Sequence, residues 1–228
     1  MYITIFFHIN NRCISNITSI ELDLISNKFT KNYAINGGAI YIDKRHVDNI
    51  NVNNTINIKR NIFHENLAEN FGGAIYSDYD MLYLSEIMEN EIKFNNARIM
   101  GGGTFLSKMV KESLSKITNI DFSNNTVNSY INNYTSKPFY ITLNSTLDDS
   151  STSITSGQHL QLEFYLYDEY DNIIEDITKY YYSINLRITI EEKDTEIFNN
   201  DDDDDKNSNY YLIGNIGSFV KGKNKLVY

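Results

Sequence analysis

The chain has 228 residues, 41% of them hydrophobic, so a packed core is expected rather than disorder. Its net charge is −10, and the excess lies in the last part: residues 1–138 carry 13 acidic and 13 basic side chains, whereas residues 139–228 carry 17 and 7. That part would repel a phosphate backbone or an anionic membrane surface, so nucleic-acid binding and membrane docking are not expected. No apolar run approaches the about 18 residues of a membrane-spanning helix, so direct membrane insertion is not predicted.

The first segment, residues 1–9 (MYITIFFHI), is predicted to be a β-strand. It is apolar but lacks the basic start and the small-residue cleavage site of a signal peptide. A chain that opens inside a strand is expected to be a fragment of a longer protein. Cys13 is the single cysteine, so an intrachain disulfide is excluded, and a buried free thiol is the favoured interpretation over a reactive one.

Two full copies of a repeat follow this segment. Residues 27–32 (NKFTKN) precede a glycine block at residues 37–41 (GGAIY), and residues 61–66 (NIFHEN) precede an identical block at residues 72–76, which is 35 residues further on. Glycine is scarce, with 11 in the chain, so this verbatim recurrence is hard to assign to composition. Such a period is typical of a solenoid, whose units bury their apolar faces only against neighbouring units.

The later copies are degraded. A third copy is predicted at residues 94–96 (FNN) followed by residues 102–105 (GGTF), and a half-copy at residues 122–125 (FSNN). Thr104 replaces the alanine of the first two copies, and Ala97 stands where an asparagine is expected. The repeats are therefore expected to end in this region.

One repeat is predicted to form one coil of a parallel β-helix, with three short strands and three turns. Phe29 and Phe63 would stack inside, about 4.8 Å apart, which is the spacing of paired strands. The glycine pairs at 37–38 and 72–73 would occupy equivalent corners of successive coils, where the backbone needs a positive φ or a close approach. Asparagines at the turns would bond to the local backbone and tolerate the left-handed region.

The alternating FxxN and GGA[ILV] blocks resemble the repeats of the chlamydial polymorphic outer membrane proteins, over about residues 14–130. Similar repeats occur in large surface proteins of some AT-rich eukaryotes. The resemblance implies a right-handed parallel β-helix displayed outside the cell, in adhesion or as a structural stalk. The family motif is structural and carries no catalytic residue.

Residues 106–117 (LSKMVKESLSKI) have their apolar side chains at helical spacing, which predicts a short helix that covers the open end of the core. The only proline, Pro138, lies where the charge balance changes and the repeats stop. We place a boundary there. The prediction is a β-helix over residues 1–137 and a second, acidic unit over residues 138–228.

Strict alternation of apolar and polar residues after Pro138 predicts an antiparallel, half-exposed sheet. The apolar set Leu160, Leu162, Phe164 and Leu166 is expected to face Ile184, Leu186 and Ile188 across a core. Residues 156–176, with the turn DEYDN at 168–172, resemble the strand–turn–strand signature of immunoglobulin-like modules in surface adhesins. This resemblance implies an immunoglobulin-like β-sandwich, which we expect to be incomplete in residues 138–228. The fold class is thus all-β, a parallel β-helix followed by a partial antiparallel β-sandwich.

Metal sites have little support in the sequence. The aspartate run at residues 201–205 lacks the alternating ligand spacing of a calcium loop and is interpreted as a solvated loop. An ordinary turn is favoured over a calcium site for the acids Asp168, Glu169 and Asp171. No two histidines have the helical spacing of a zinc site, so zinc binding is not expected. The histidines are His8, His46, His64 and His159.

Five sequons for N-glycosylation occur in the chain, at Asn16, Asn53, Asn124, Asn133 and Asn144. They are compatible with secretion but do not demonstrate it.

An enzyme is the alternative, because parallel β-helices also host polysaccharide lyases and glycoside hydrolases, whose sites need convergent carboxylates. The candidates follow the two GGAIY strands: Asp43, Asp48, Asp78 and Asp80. Asp43 and Asp78 are 35 residues apart and would stack on adjacent coils. We nevertheless predict no catalytic, cofactor-binding or metal-binding residue. The predicted function is a non-enzymatic, adhesin-like or structural module, extracellular or on the cell surface, with a protein or glycan ligand and without a cofactor.

Overall fold

The computed structural model describes residues 5–10, 21–45, 55–78, 86–106, 117–144, 161–187, 216–219 and 222–227. In chain order its strands are β1 (Ile5–Asn10), β2 (Glu21–Ile25), β3 (Lys28–Thr30), β4 (Tyr33–Ala34), β5 (Ile40–Arg45), β6 (Thr55–Lys59), β7 (Ile62–His64), β8 (Leu67–Ala68), β9 (Ile75–Ser77), β10 (Ile87–Met88), β11 (Glu91–Lys93), β12 (Asn96–Ala97), β13 (Thr104–Leu106), β14 (Ile117–Thr118), β15 (Asp121–Ser123), β16 (Thr126–Val127), β17 (Tyr130–Ile131), β18 (Tyr134–Thr135), β19 (Pro138–Leu143), β20 (Gln161–Asp168), β21 (Asn185–Arg187), β22 (Ile216–Ser218) and β23 (Lys223–Val227).

Four parallel sheets build the first part of the described chain. They run β1-β5-β9-β13-β18, β14-β10-β6-β2, β15-β11-β7-β3 and β16-β12-β8-β4, and β17 pairs antiparallel with β16. The chain visits the sheets in turn, so that β2, β3, β4 and β5 form one coil and the next coil stacks on it in register. This arrangement is a parallel β-helix and confirms the predicted fold class. Each coil has four strands where the repeat predicted three.

Two one-residue bends create the extra strand. At each bend one residue adopts the left-handed region, which turns the chain sharply without a longer loop. The bend between the second and third sheets is made by Ser26, Arg60, Glu89 and Asn119, with φ between 54° and 58°. The bend between the third and fourth sheets is made by Lys31, Glu65, Phe94 and Asn124, with φ between 53° and 56°. Non-glycine residues are uncommon in the left-handed region of φ/ψ space, so these bends could not be recognised from the sequence.

The core is a set of inward ladders, one residue per coil. Phe29 and Phe63 stack with ring centroids 4.9 Å apart and 5° between planes, which confirms the prediction for these two rings. The same inward position is filled by Ile92 in the third coil and by Phe122 in the fourth. Phe29, Phe63 and Ile92 are buried, and Phe122 is partly buried against the same cluster.

The predicted role of Phe94 in the third copy is wrong. Phe94 lies at a left-handed bend with its side chain 50% exposed, and its ring meets His64 edge-on at 5.1 Å. The register between coils places Ile92 over Phe63, so the true third copy is residues 90–95 (NEIKFN). In this register Asn95 occupies the asparagine position, and Ala97 is an ordinary inward residue of β12 that pairs with Ala68.

The glycine corners are equivalent in successive coils, as predicted. Gly37 and Gly72 have φ of 61° and 65°, and the N–H of Gly38 donates to the carbonyl of Gly72 at 3.1 Å. The glycine block predicted for the third copy, residues 102–105, is displaced by one residue from the block that pairs with residues 72–75. Thr104 pairs with Ile75, so the corner is Gly101, with φ 68°, and Thr104 replaces an isoleucine rather than an alanine.

Two asparagine ladders run along the bends between coils, and every member except the exposed Asn27 is buried. One consists of Asn27, Asn61 and Asn90, and the other of Asn32, Asn66, Asn95 and Asn125. Each rung is alike. The backbone N–H and the side-chain Nδ2 of one asparagine donate to the Oδ1 of the asparagine one coil further on, as Asn66 does to Asn95 at 2.9 Å in both bonds.

The sequence predicted hydrogen bonds to the local backbone. Asn27 makes one, from its Nδ2 to the carbonyl of Ile25 at 3.2 Å, but the ladder bonds run to the neighbouring coils instead. The second hydrogen of Nδ2 reaches back to the preceding coil, where that of Asn66 meets the carbonyl of Phe29 at 3.0 Å. The left-handed residue is the one before the ladder asparagine. At the upper end Asn133 closes the ladder, because its Oδ1 accepts the N–H and Nδ2 of Asn125. At the lower end the buried Oδ1 of Asn32 has no donor among the described residues.

Antiparallel pairing replaces parallel pairing after β18 in the described chain. The order β19-β20-β23 forms a three-stranded sheet, and β21 pairs with β22. Leu162 and Leu166 are buried, and Ile184 packs in one cluster with Leu166. Leu160 and Ile188, which were predicted in the same core, lie outside the described residues, as does the predicted helix between β13 and β14. Among the described residues no helix has the length and hydropathy to cross a membrane.

Candidate binding surface

One face of the three-stranded sheet carries tyrosines. Directly opposed residues of antiparallel strands point to the same side, and the register opposes Tyr140 to Tyr167 and Tyr165 to Lys223. Tyr165 and Tyr167 are two residues apart on β20 and therefore share that side. We call the surface formed by Tyr140, Tyr165, Tyr167 and Lys223 the tyrosine face.

The rings of the tyrosine face contact one another. Tyr140 and Tyr167 stack with centroids 5.1 Å apart and 7° between planes, and Tyr165 meets Tyr167 edge-on at 6.3 Å. The Nζ of Lys223 lies 5.1 Å from the centroid of Tyr165, within the range of a cation–π contact. The amide of Asn144 donates to the hydroxyl of Tyr165 at 3.0 Å. The face thus offers ring edges, hydroxyls, an amide and an ammonium group within a small area.

A groove of about 560 Å³ borders the tyrosine face. It runs between residues 131–135, from the end of β17 through β18, and residues 171–175, which begin in the turn after β20. Tyr167, which belongs to the tyrosine face, lines the groove. Asp171 also lines it and contacts the tyrosine face through Tyr140. Aromatic rings beside a concave, mixed polar and apolar surface are typical of sites that bind glycans or peptides.

The hydroxyl of Tyr140 donates to Oδ1 of Asp171 at 2.7 Å. This hydrogen bond, with smaller contributions from burial and from the charge of Asp171, raises the pKa of Tyr140 from 10.0 to about 12. The bond exists only while Tyr140 is protonated. Its stabilising effect is therefore complete below pH 10 and is lost as the pH rises through about 12.

We expect an absorbance titration at 295 nm to show this late ionisation. Replacing Asp171 by alanine removes both the acceptor and the charge, so Tyr140 should ionise closer to the ordinary tyrosine range. Subtracting the titration of Tyr140→Phe isolates the curve of this residue. An unchanged curve in Asp171→Ala would show that Asp171 does not hold Tyr140 in solution.

A buried carboxylate ties the sheet to the last coil. Asp168 ends β20 and is fully buried. Its Oδ2 accepts hydrogen bonds from Thr135 Oγ1 at 2.9 Å and from the N–H of Ser136 at 3.1 Å, both at the end of β18. Its Oδ1 accepts the N–H groups of Tyr170 and Asn172 at 2.8 and 2.9 Å, which shapes the turn. Asp168 therefore joins the two parts of the described chain by hydrogen bonds to both.

Replacing Asp168 by alanine should destabilise this junction by about 3 kcal/mol, because several buried donors lose their acceptor at once. Amide hydrogen exchange should speed up at residues 135–136 and 170–172, and urea should unfold the variant earlier. The control is Glu175→Ala, an exposed acid in the same region, which should change stability by less than about 0.5 kcal/mol. Equal behaviour of both variants would contradict the role of Asp168.

An apolar cluster also anchors the sheet to the outer side of the β-helix. Phe71, Met100 and Phe105 belong to the coils, and they pack in one cluster with Leu166 and Ile174. Phe71 lies 4.7 Å from Phe105, and the ring of Tyr180 meets Phe71 edge-on at 5.0 Å. The core predicted for the C-terminal strands alone is thus shared with the coils.

The acids considered for calcium do not converge on a cation site. Asp168 is buried with both oxygens accepting hydrogen bonds, whereas Asp171 is exposed and accepts from Tyr140. Within the described ranges no group of three metal-ligating side chains occurs. The aspartates at 201–205, Cys13, His46 and His159 lie outside those ranges.

The acids considered for catalysis are only partly described. Asp78 follows β9, and its N–H donates to the carbonyl of Ile42, so its backbone lies beside that of Asp43 on the adjacent coil, as predicted. The side chain of Asp43 and both Asp48 and Asp80 lie outside the described residues. Among the sequons, Asn124 is exposed, whereas Asn133 is engaged as the cap of the ladder.

The sequence analysis did not identify the tyrosine face, although the strict alternation of apolar and polar residues implies that Tyr165 and Tyr167 lie on the side of β20 opposite its apolar set. The alternation in β20 and β19 was the available signal. The turn DEYDN marks Asp168 as a turn residue, but nothing local marks its role at the junction, because its partners at 135–136 are more than thirty positions away in the chain.

Comparison with known proteins gives no matching family model, no matching curated protein and no matching solved structure. The coordinates by themselves define the class: a β-solenoid protein with stacked parallel coils and an antiparallel sheet packed against them.

Proposed function

We propose that this chain is a non-enzymatic, adhesin-like or structural module that works outside the cell or on its surface. The observation that carries the proposal is the anchoring of the antiparallel sheet on the β-helix by the Phe71–Phe105–Leu166 cluster and by Asp168. A sheet held by both a packed cluster and a buried hydrogen-bond network presents its tyrosine face in a fixed orientation. A fixed, half-exposed recognition face on a stiff coil stack suits display rather than catalysis.

The resemblance of the GGAIY and FxxN blocks to polymorphic outer membrane protein repeats supports the extracellular location. Those repeats imply a displayed β-helix, and the stacked coils are consistent with that architecture. The immunoglobulin-like resemblance of residues 156–176 supports an adhesin module for the antiparallel part. The ligand we propose is a protein or a glycan bound at the tyrosine face and the adjoining groove.

An array of glycans and extracellular-matrix proteins tests this proposal with the full chain as the probe. We expect saturable binding to a subset of the array. The double variant Tyr140→Ala/Tyr167→Ala should weaken it at least about tenfold, since aromatic anchors dominate such interfaces. Tyr33→Ala, which removes an exposed tyrosine of β4, is the matched control and should bind like the original chain. Absence of any saturable ligand, or equal losses in both variants, would count against the proposal.

The alternative function is a carbohydrate-active enzyme, and the adjacent backbones of Asp43 and Asp78 favour it. Incubation with a panel of polysaccharides, followed by assays for reducing ends and for unsaturated products, separates the two functions. We expect no release of product by the chain, and unchanged array binding in Asp43→Asn/Asp78→Asn. Degradation of a polysaccharide that this double variant abolishes would establish the enzyme instead.

A further inference from the structure

The upper end of the β-helix core contains a cavity of about 350 Å³. Its floor is formed by inward side chains of the second and third coils, chiefly Ile75, Ile87 and Leu106, each at most 3% exposed. Its roof is formed by Phe122, Tyr134 and Tyr170. The cavity is therefore part of the core of the solenoid, distinct from the tyrosine face on the neighbouring sheet.

The sequence explains why the core is not filled at this level. The inward position of the first sheet is isoleucine in two coils, at Ile40 and Ile75, and changes to Thr104 in the third. Thr104 lines the cavity, and the change from isoleucine to threonine reduces side-chain volume in this coil, while the spacing between coils is fixed by backbone hydrogen bonds. A void follows, because the coils cannot collapse to close it.

The roof is aromatic and comes from three separate elements. The ring of Tyr134 lies 5.3 Å from that of Phe122 and 5.3 Å from that of Tyr170. Tyr170 belongs to the turn that Asp168 shapes, so the C-terminal part covers the end of the core. Tyr134, which is 42% exposed, and Asn119, which is exposed, lie on the solvent side of the lining and mark an entrance.

Filling the inner part of this cavity with water would be energetically unfavourable. A buried water needs two to four polar partners, and the floor offers only Thr104 among apolar side chains. Left empty, it would forfeit the dispersion contacts of its walls. A mostly apolar pocket of a few hundred cubic ångströms with a few polar groups at one side is typical of a small-molecule site.

We propose that this cavity binds a small molecule with an alkyl chain and one uncharged polar end. The alkyl chain lies on Ile75, Ile87 and Leu106 beneath the aromatic roof. The polar end lies at the entrance, beside Asn119 and the hydroxyl of Tyr134. A charged head is excluded from the interior, because no described residue of the lining carries a formal charge that would compensate it.

Titration of the full chain with 1-octanol, followed by methyl NMR of its isoleucines, tests the site directly. We expect saturable one-to-one binding, with shifts of the Ile75 and Ile87 methyl groups and none at Ile40, which is equally buried but lies in the first coil. Absence of saturation, or shifts confined to an exposed residue such as Ile141, would overturn the proposal.

A filling variant provides the second arm of the experiment. Thr104→Ile restores the residue that the first two coils have at this position, so it should reduce octanol binding at least about tenfold while the chain stays folded. The matched control is Thr30→Ile, the same substitution at a half-buried position of β3, which should leave binding unchanged. Equal binding by both variants would place the octanol elsewhere, and would overturn the proposal without touching the proposed display function.

Discussion

Replacing Asn66 by alanine should remove about 4 kcal/mol of stability, a large part of what a domain of this kind has. Asn66 is 1% exposed and lies in the middle of the longer ladder. Its Oδ1 accepts the backbone N–H and Nδ2 of Asn32, and its Nδ2 donates to Asn95 and to the carbonyl of Phe29. Truncation leaves partners in two adjacent coils buried without hydrogen bonds. Urea unfolding, followed by circular dichroism, measures the loss.

Two further variants separate hydrogen bonding from packing. Asn66→Leu keeps the branched shape with the same number of side-chain heavy atoms but none of the side-chain hydrogen bonds, so it should be destabilised at least as strongly as the alanine variant. Asn144→Ala removes an amide that also makes two side-chain hydrogen bonds, to Glu163 and Tyr165, but on the surface. Water replaces those bonds, and the loss should stay below about 1 kcal/mol. A mild effect of both Asn66 variants would contradict the ladder as a source of stability.

Replacing Gly73 by alanine should be at least as damaging, with an expected loss of about 4 kcal/mol or more. A Cβ on Gly73 would lie 2.0 Å from the carbonyl oxygen of Gly102 and 2.7 Å from backbone atoms of Asn96. These neighbours are backbone atoms of the next coil, so no side chain can rotate away. The coils would have to separate, which breaks the ladders on both sides of the corner. Thermal unfolding and expression of soluble protein report the effect.

The reverse substitution at a bend is the control. Glu89→Gly places a glycine at an exposed bend residue with φ 54°, where a side chain is mildly strained. The relief of strain and the greater freedom of the unfolded chain oppose each other, so stability should change by less than about 1 kcal/mol. Tolerance of alanine at Gly73, with a large effect at Glu89, would mean that the coils are not in the register described.

Both substitutions act on the contact between coils rather than on the apolar filling inside. The ladders fix the spacing through hydrogen bonds, and the glycines permit the backbones to approach at the corner. Such contacts resist bending and sliding of one coil on the next. A stiff stack of this kind is what the proposed display function requires.

The sequence determined the period of the coil, its first two copies and the position of its glycine corner. GGAIY recurs after 35 residues, and a tight backbone approach leaves room only for glycine, so the corner could be predicted from Gly37, Gly38, Gly72 and Gly73. Phe29 and Phe63 follow from the same period, because stacking in register brings equal positions of the repeat together. The change from parallel to antiparallel strands after Pro138 could also be predicted, because the glycine repeats give way there to a strict alternation of apolar and polar residues.

Only the tertiary structure decided which apolar residue points into the core in the third, degraded copy of the repeat. Ile92 and Phe94 are two positions apart and both apolar, and composition alone favours the phenylalanine. The asparagine ladder decides for Ile92, because Asn95 must meet Asn66 and Asn125 across the coils. In the same way Asp168 meets Thr135 and Ser136, and Leu166 meets Phe71 and Phe105, only when the distant segments are packed. A local pattern specifies a strand and its two faces, whereas hydrogen bonds and contacts between distant segments choose the register and the partner.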